Sequence, residues 1–163
     1  MGKVRAVSRE GSTGGPTSAE ELLAQARARI DRLTPLEAYN AVTKGATLVD
    51  IRTEGQRAEH GIVAEARYIP RNVLEWRLDP SSEWSEPEIA VPGHRVILLC
   101  HEGYQSSLAA ATVREFGVDA TDVIDGFTAW RRAGLPVVTA VVDAVPPALD
   151  HFASTATRSA RER

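Results

Sequence analysis

Val96, Ile97, Leu98 and Leu99 form an unbroken apolar run that ends at the only cysteine, Cys100, with a helical pattern starting just beyond it. A short apolar run bounded by turn signals reads as a strand buried on both faces, the kind found in parallel sheets covered by helices. The rest of the chain repeats this alternation. Ser18 with Glu21 has the spacing of a capping box, and Leu22, Leu23, Ala26 and Ile30 keep one apolar face. Thr34, Pro35 and Glu37 signal a second helix start, expected to run to Lys44 and stop at Gly45. Strands are expected at Leu48–Ile51, at Arg67–Ile69 and at Asp122–Ile124. Further helical segments are expected at 55–61, at Asn72–Leu78, from Ser106 to Gly117, and from Phe127 to Gly134. The fold class is therefore α/β, a mostly parallel central sheet with helices on both faces.

A length of 163 residues suits one such domain and supplies enough core without metal or disulfide. One cysteine excludes an internal disulfide and any multi-cysteine metal site, and a lone thiol fits a reducing, cytoplasmic setting. The net charge of −3 argues against a nucleic-acid surface, and no apolar run reaches the roughly eighteen residues of a membrane span. Residues 1–17, rich in Gly, Ser and Thr, are expected to form a mobile arm, followed by a helical segment over 18–33. The main domain is expected over 34–140, and 141–163 as a loosely packed tail.

The chemistry concentrates after the central strand, in CHEGYQS. A thiol at the end of that strand faces loop N–H groups and the positive end of the following helix. Both favour the thiolate, which is the nucleophile. Gly103 permits the backbone angles that wrap a loop around one atom, and Ser106, Ser107, Ala109 and Ala110 let the helix approach the sheet closely. Such a cradle also suits an anionic persulfide or a bound oxyanion. Most free cysteines are buried, inert hydrophobes, but ligands of open α/β sheets bind at the carboxyl ends of strands, where Cys100 falls.

The segment Thr34–Val138 resembles the rhodanese-like domain family of sulfurtransferases. The resemblance rests on TPLEAYNAV, KGATLVDIR, RYIP, the loop CHEGYQSSLAA and GFTAWRRAGLPV, which occur in family order and spacing. It implies a rhodanese-like fold, Cys100 as nucleophile, and a loop His101, Glu102, Gly103, Tyr104, Gln105 and Ser106 that holds substrate. Asp50 and Arg52 match the family's Asp-x-Arg and would support the active loop as an ion pair or touch substrate directly. Trp130 matches a family tryptophan and belongs to the core. Trp76 and Trp84 either line the mouth or cover the core.

Three departures stand out. Gln105 occupies the position of the usual loop arginine, which removes a fixed charge and a bidentate fork for anionic donors, while Glu102 adds a negative charge. Asp125 stands where a glycine pair ending at Gly126 is common. The stretch EHGIVAEARYIP lacks the usual histidine and proline.

The leading expectation is a sulfurtransferase passing sulfane sulfur through a Cys100 persulfide. The donor would be small and the acceptor cyanide, a thiol or a protein, with no metal or other cofactor. The alternative is a weakly active or non-enzymatic binding or sensing module, which the missing arginine favours and the retained cysteine opposes. Phosphatase or arsenate-reductase chemistry is opposed by loop length and by Gln105. A direct catalytic role for His101 is weaker still, because neighbouring side chains in a loop point apart.

Overall fold

A computed structural model describes residues 17–139. Apart from Thr17, the expected N-terminal arm and the expected tail lie outside the described residues.

Helices start where side chains can satisfy their first N–H groups. In α1 (Ala19–Arg27) the Ser18 hydroxyl accepts from the Glu21 N–H while the Glu21 carboxylate accepts from the Ser18 N–H. Thr34 and Glu37 do the same for α2 (Pro35–Thr43), with Pro35 in the first turn. The Thr34 hydroxyl and N–H hold the Glu37 carboxyl below its ordinary range. That cap therefore contributes at neutral pH and weakens as pH falls through the lowered value. A third reciprocal pair, Thr53 with Gln56, opens α3 (Glu54–His60) directly after β1 (Thr47–Asp50).

The sheet has four parallel strands in the order β2 (Arg67–Tyr68), β1, β3 (Arg95–Leu99), β4 (Asp119–Asp122). Thr47–Asp50 pairs with Val96–Leu99, and Arg95–Leu98 with Asp119–Asp122. All strands run the same way, so Asp50, Leu99 and Asp122 finish at one edge, and Cys100 follows there.

Alternation along the strands divides the core in two. Val49, Val96, Leu98 and Cys100 face a cluster with Ala26 and Ile30, with Leu74 and Leu78 of α4 (Leu74–Leu78), and with the alanines of α5 (Gln105–Val113). Leu48, Ile97 and Leu99 face Ala38 of α2 and Phe127 and Trp130 of α6 (Gly126–Arg132). Helices thus cover both faces, as the alternation of elements implied. Trp130 is core and donates its indole N–H to the Pro136 carbonyl.

Several boundaries differ from expectation. The first helix ends at Arg27 rather than running on to 33, and the one expected to reach Gly117 gives way after Val113 to a 3-10 turn over Arg114–Phe116. The fourth strand lies at Asp119–Asp122, not Asp122–Ile124. The Asp119 carboxylate accepts from Arg95 and Arg114, which lets a polar residue start the strand. Val123 instead bridges to Leu33. Its apolar character signals burial, which is not the same as ladder pairing. The Asn72–Leu78 helix is a 3-10 turn over Arg71–Val73 followed by α4. Among the described residues no helix is long and apolar enough to cross a membrane.

Candidate active site

Cys100 leaves β3 on the side of α5, and the chain turns back over it through Gly103 before entering that helix. The Gly103 N–H donates to Cys100 Sγ at 3.1 Å, the Ser106 N–H at 3.4 Å, and the Ser106 hydroxyl lies 3.1 Å from the sulfur. Only 4% of Cys100 is exposed, yet it lies on a pocket of about 320 Å³. The other lining residues are Thr53, Gln56, His101, Glu102, Tyr104 and Gln105. No lysine or arginine is among them, and Glu102 brings a negative charge. The thiol is thus held by donors from inside the protein and faces a polar, cation-free wall.

Gly103 is required on two counts. Its φ of 78° is left-handed, and a Cβ there would lie 2.8 Å from the Asp125 nitrogen. Gly126 is tighter: its φ is 57°, and a Cβ would lie 2.5 Å from the Cys100 carbonyl oxygen and 2.8 Å from the Gly103 nitrogen. The start of α6 is pressed against the loop backbone, where the Phe127 N–H donates to the Cys100 carbonyl at 2.8 Å. Gly126→Ala is therefore expected to destabilise the domain by about 2–3 kcal/mol through overpacking and left-handed strain. It should also slow alkylation of Cys100, because the obstructing atoms are loop backbone. Urea unfolding and iodoacetamide kinetics test this; unchanged values for both would exclude the close approach. Asp125 has a φ of 54°, the one positive value among described non-glycine residues. Aspartate tolerates this region better than most side chains, so it can stand where a glycine pair is common.

Asp50 and Arg52 form a buried pair behind the site. Arg52 donates to both Asp50 carboxylate oxygens, at 3.0 and 2.7 Å, and to the Gly61 carbonyl at 2.9 Å. Its guanidinium carbon stacks 3.6 Å from the Phe127 ring centroid. Arg57 adds a second donor to Asp50 at 3.3 Å. Neither Asp50 nor Arg52 lines the cysteine pocket; both lie just before Thr53 and Gln56, which do.

His101 stacks on His60, with ring centroids 4.9 Å apart, and on Phe127 at 6.3 Å. It still forms part of the pocket wall. Trp76 and Trp84 are exposed and do not line the pocket. Thr53 and Gln56 went unassigned in the sequence, although a Thr-x-x-Gln cap directly after a strand places α3 at the carboxyl edge of the sheet. Asp122 was also missed: it is fully buried and accepts from the Ser106 hydroxyl at 2.9 Å and the Ser107 hydroxyl at 2.8 Å.

A parallel sheet sandwiched by helices, with one cysteine in a strand-to-helix loop at its carboxyl edge, defines an α/β domain of the cysteine-loop class. Within that class the profile of the rhodanese-like domain matches residues 34–133, and the chain belongs to that family. It is similar to the thiosulfate sulfurtransferase GlpE of Actinobacillus pleuropneumoniae, 32% identical over 110 residues, covering 66% of this chain and 93% of that protein. Among solved structures it is similar to a protein of unknown function, a possible tyrosine phosphatase, from Rhodopseudomonas palustris. That match has a TM-score of 0.68 and 26% identity, and covers 84% of this chain and all of the other. The fold is also that of the polysulfide-sulfur transferase homodimer from Wolinella succinogenes, with a TM-score of 0.59, 24% identity, and coverage of 75% of this chain and 88% of that one.

Proposed function

We propose that the protein is a sulfurtransferase in which Cys100 carries sulfane sulfur as a persulfide. In the first half-reaction the Cys100 thiolate attacks the outer sulfur of a donor. A new sulfur–sulfur bond forms on Sγ, and the donor's bond to that sulfur breaks. The leaving sulfite or thiolate takes the electron pair. In the second half-reaction an acceptor nucleophile, cyanide, a thiol or a protein thiol, attacks the outer sulfur, and Cys100 departs as thiolate. Splitting one transfer into two displacements is what covalent catalysis supplies.

The observation that carries this reading is the convergence of two backbone N–H groups and one hydroxyl on Cys100 Sγ, at 3.1–3.4 Å, on an open pocket. Oriented donors of this kind stabilise the thiolate, which is the nucleophile of the first step and the leaving group of the second. The lining holds Glu102 and no lysine or arginine, which opposes phosphoryl transfer and, equally, thiosulfate as the preferred sulfur donor. Asp50 and Arg52 act in support, away from substrate. A reducing compartment such as the cytoplasm suits a thiol that must turn over.

Intact-mass measurement after incubation with thiosulfate or an organic persulfide tests the intermediate directly. The expected result is a gain of one sulfur atom that is lost on adding cyanide or a thiol and is not seen in Cys100→Ser. A chain that stays unmodified with every donor would leave the binding-module reading as the better one.

A further inference from the structure

Residues 18–33 precede the span matched by the family profile, yet they dock on the back of the active loop. Leu23 and Ala26 of α1 and Ile30 beyond it are buried, and Ala26 and Ile30 share the cluster of Cys100. The segment is pinned beside β4. The Leu33 N–H donates to the Asp122 carbonyl at 3.0 Å, and the Ile124 N–H to the Leu33 carbonyl at 2.8 Å. The Thr121 hydroxyl donates to the Asp31 carbonyl at 2.6 Å.

Two guanidinium groups from this segment meet at one loop atom. Arg27 Nη2 donates to the Gly103 carbonyl at 2.9 Å, and Arg32 Nη2 to the same oxygen at 3.1 Å. Arg27 also reaches the Ser107 hydroxyl at 3.3 Å and lies 5.6 Å from the Tyr104 ring centroid. Arg32 additionally grips both oxygens of buried Asp122, at 2.8 and 3.1 Å. Two guanidinium charges against one carboxylate leave a positive charge directly behind the sulfur cradle.

We propose that Arg27 and Arg32 are positioning residues for Cys100, supplying from outside the loop the positive charge that Gln105 does not supply from within it. They act by two routes. Pinning the Gly103 carbonyl fixes the 103–104 peptide plane and with it the orientation of the residue whose own N–H, one plane earlier, donates to Sγ. A charged donor on a carbonyl is stronger than a neutral one. The second route runs through Ser106, whose single hydroxyl proton has two acceptors, Asp122 Oδ2 at 2.9 Å and Cys100 Sγ at 3.1 Å. With Arg32 neutralising Asp122, the hydroxyl is free to turn to an anionic sulfur. Without Arg32, the bare carboxylate holds that proton and leaves an oxygen lone pair facing the thiolate.

The effect on transfer rests on the sulfurtransferase reading, whereas the effect on the thiol does not, so alkylation by iodoacetamide is measured beside sulfur transfer. Arg32→Ala is expected to slow both about tenfold, the lower end for losing one charge-assisted hydrogen bond. The KM for the donor should stay unchanged, since neither arginine lines the pocket. Arg27→Ala is expected to slow both about threefold, and it serves alone if Arg32→Ala does not fold. Arg32→Lys should recover part of the loss. The decisive variant is Arg32→Ala with Asp122→Asn: removing the stranded carboxylate should restore most of the alkylation rate. Unchanged alkylation in both alanine variants would overturn the proposal. So would losses that track the melting temperature and are not restored by Asp122→Asn, because a purely structural role predicts that pattern. If the thiol responds as expected while no variant or wild-type protein transfers sulfur, the positioning stands and the sulfurtransferase reading fails.

Discussion

Cys100→Ser is expected to abolish sulfur transfer, by more than about a thousandfold, while leaving the fold in place. Oxygen cannot take the place of Sγ as carrier: a neutral hydroxyl is a poor nucleophile, and the groups bonded at that position are two N–H donors and a hydroxyl, none of them a base that would activate it. Serine nevertheless fits the site. The change replaces one buried atom by a smaller one, and the N–H groups of Gly103 and Ser106 that point at Sγ would find a hydroxyl oxygen to accept them. Stability should therefore move by less than about 1.5 kcal/mol, the range of a near-isosteric swap. Steady-state transfer assays and thermal unfolding of the same preparation check the two halves together. Activity surviving in the serine variant would exclude the persulfide route, and a collapsed melting transition would mean that the thiol holds the loop together rather than working in it.

Gln105→Arg is expected to raise kcat/KM with thiosulfate roughly ten- to hundredfold. Gln105 is the first residue of α5 and lines the cysteine pocket, so a guanidinium there would extend along the wall that thiosulfate must pass. The wall now holds no cation, and a dianion approaching Sγ meets Glu102 instead. One charge-assisted hydrogen bond is worth about 1.5–3 kcal/mol, which gives that range if it is expressed in the transition state. Glu102 would offset part of the gain by pairing with the new arginine. The double change Gln105→Arg with Glu102→Gln should therefore exceed the single one. Kinetics with thiosulfate and cyanide decide it. An unchanged or lower kcat/KM in both variants would mean that the natural donor is recognised elsewhere, for instance by a protein partner that presents its own persulfide.

Much of this architecture was legible from short stretches of sequence. The reciprocal pairs Ser18–Glu21 and Thr34–Glu37 marked helix starts because a cap is complete within three residues and needs no help from the rest of the chain. The apolar run Val96–Leu99 and the cysteine that ends it placed the nucleophile at the carboxyl end of a buried strand. Period-two alternation then put Cys100 on the face of Val96 and Leu98, toward α5. The loop from Cys100 to Gln105 was one of several motifs in family order that carried the family resemblance. Strand identity was less secure where polarity and pairing diverge: Asp119 opens β4 because Arg95 and Arg114 reach its carboxylate, and no local pattern announces those partners.

What only the tertiary structure decided was which distant residues meet at the loop. Arg27 and Arg32 touch the Gly103 carbonyl across 76 and 71 positions of sequence, and their own surroundings read as an ordinary polar helix face followed by a turn. Thr53 and Gln56 reach the pocket because β1 lies beside β3, an adjacency set by the strand order β2–β1–β3–β4. Caps, alternation and loop length are written in hydrogen bonds and side-chain directions that close within a few residues, so the sequence alone determines them. The charges behind the thiol depend on helices and strands brought together by burial, a force that is proportional to area and blind to direction, so their meeting point is set only when the whole core has packed.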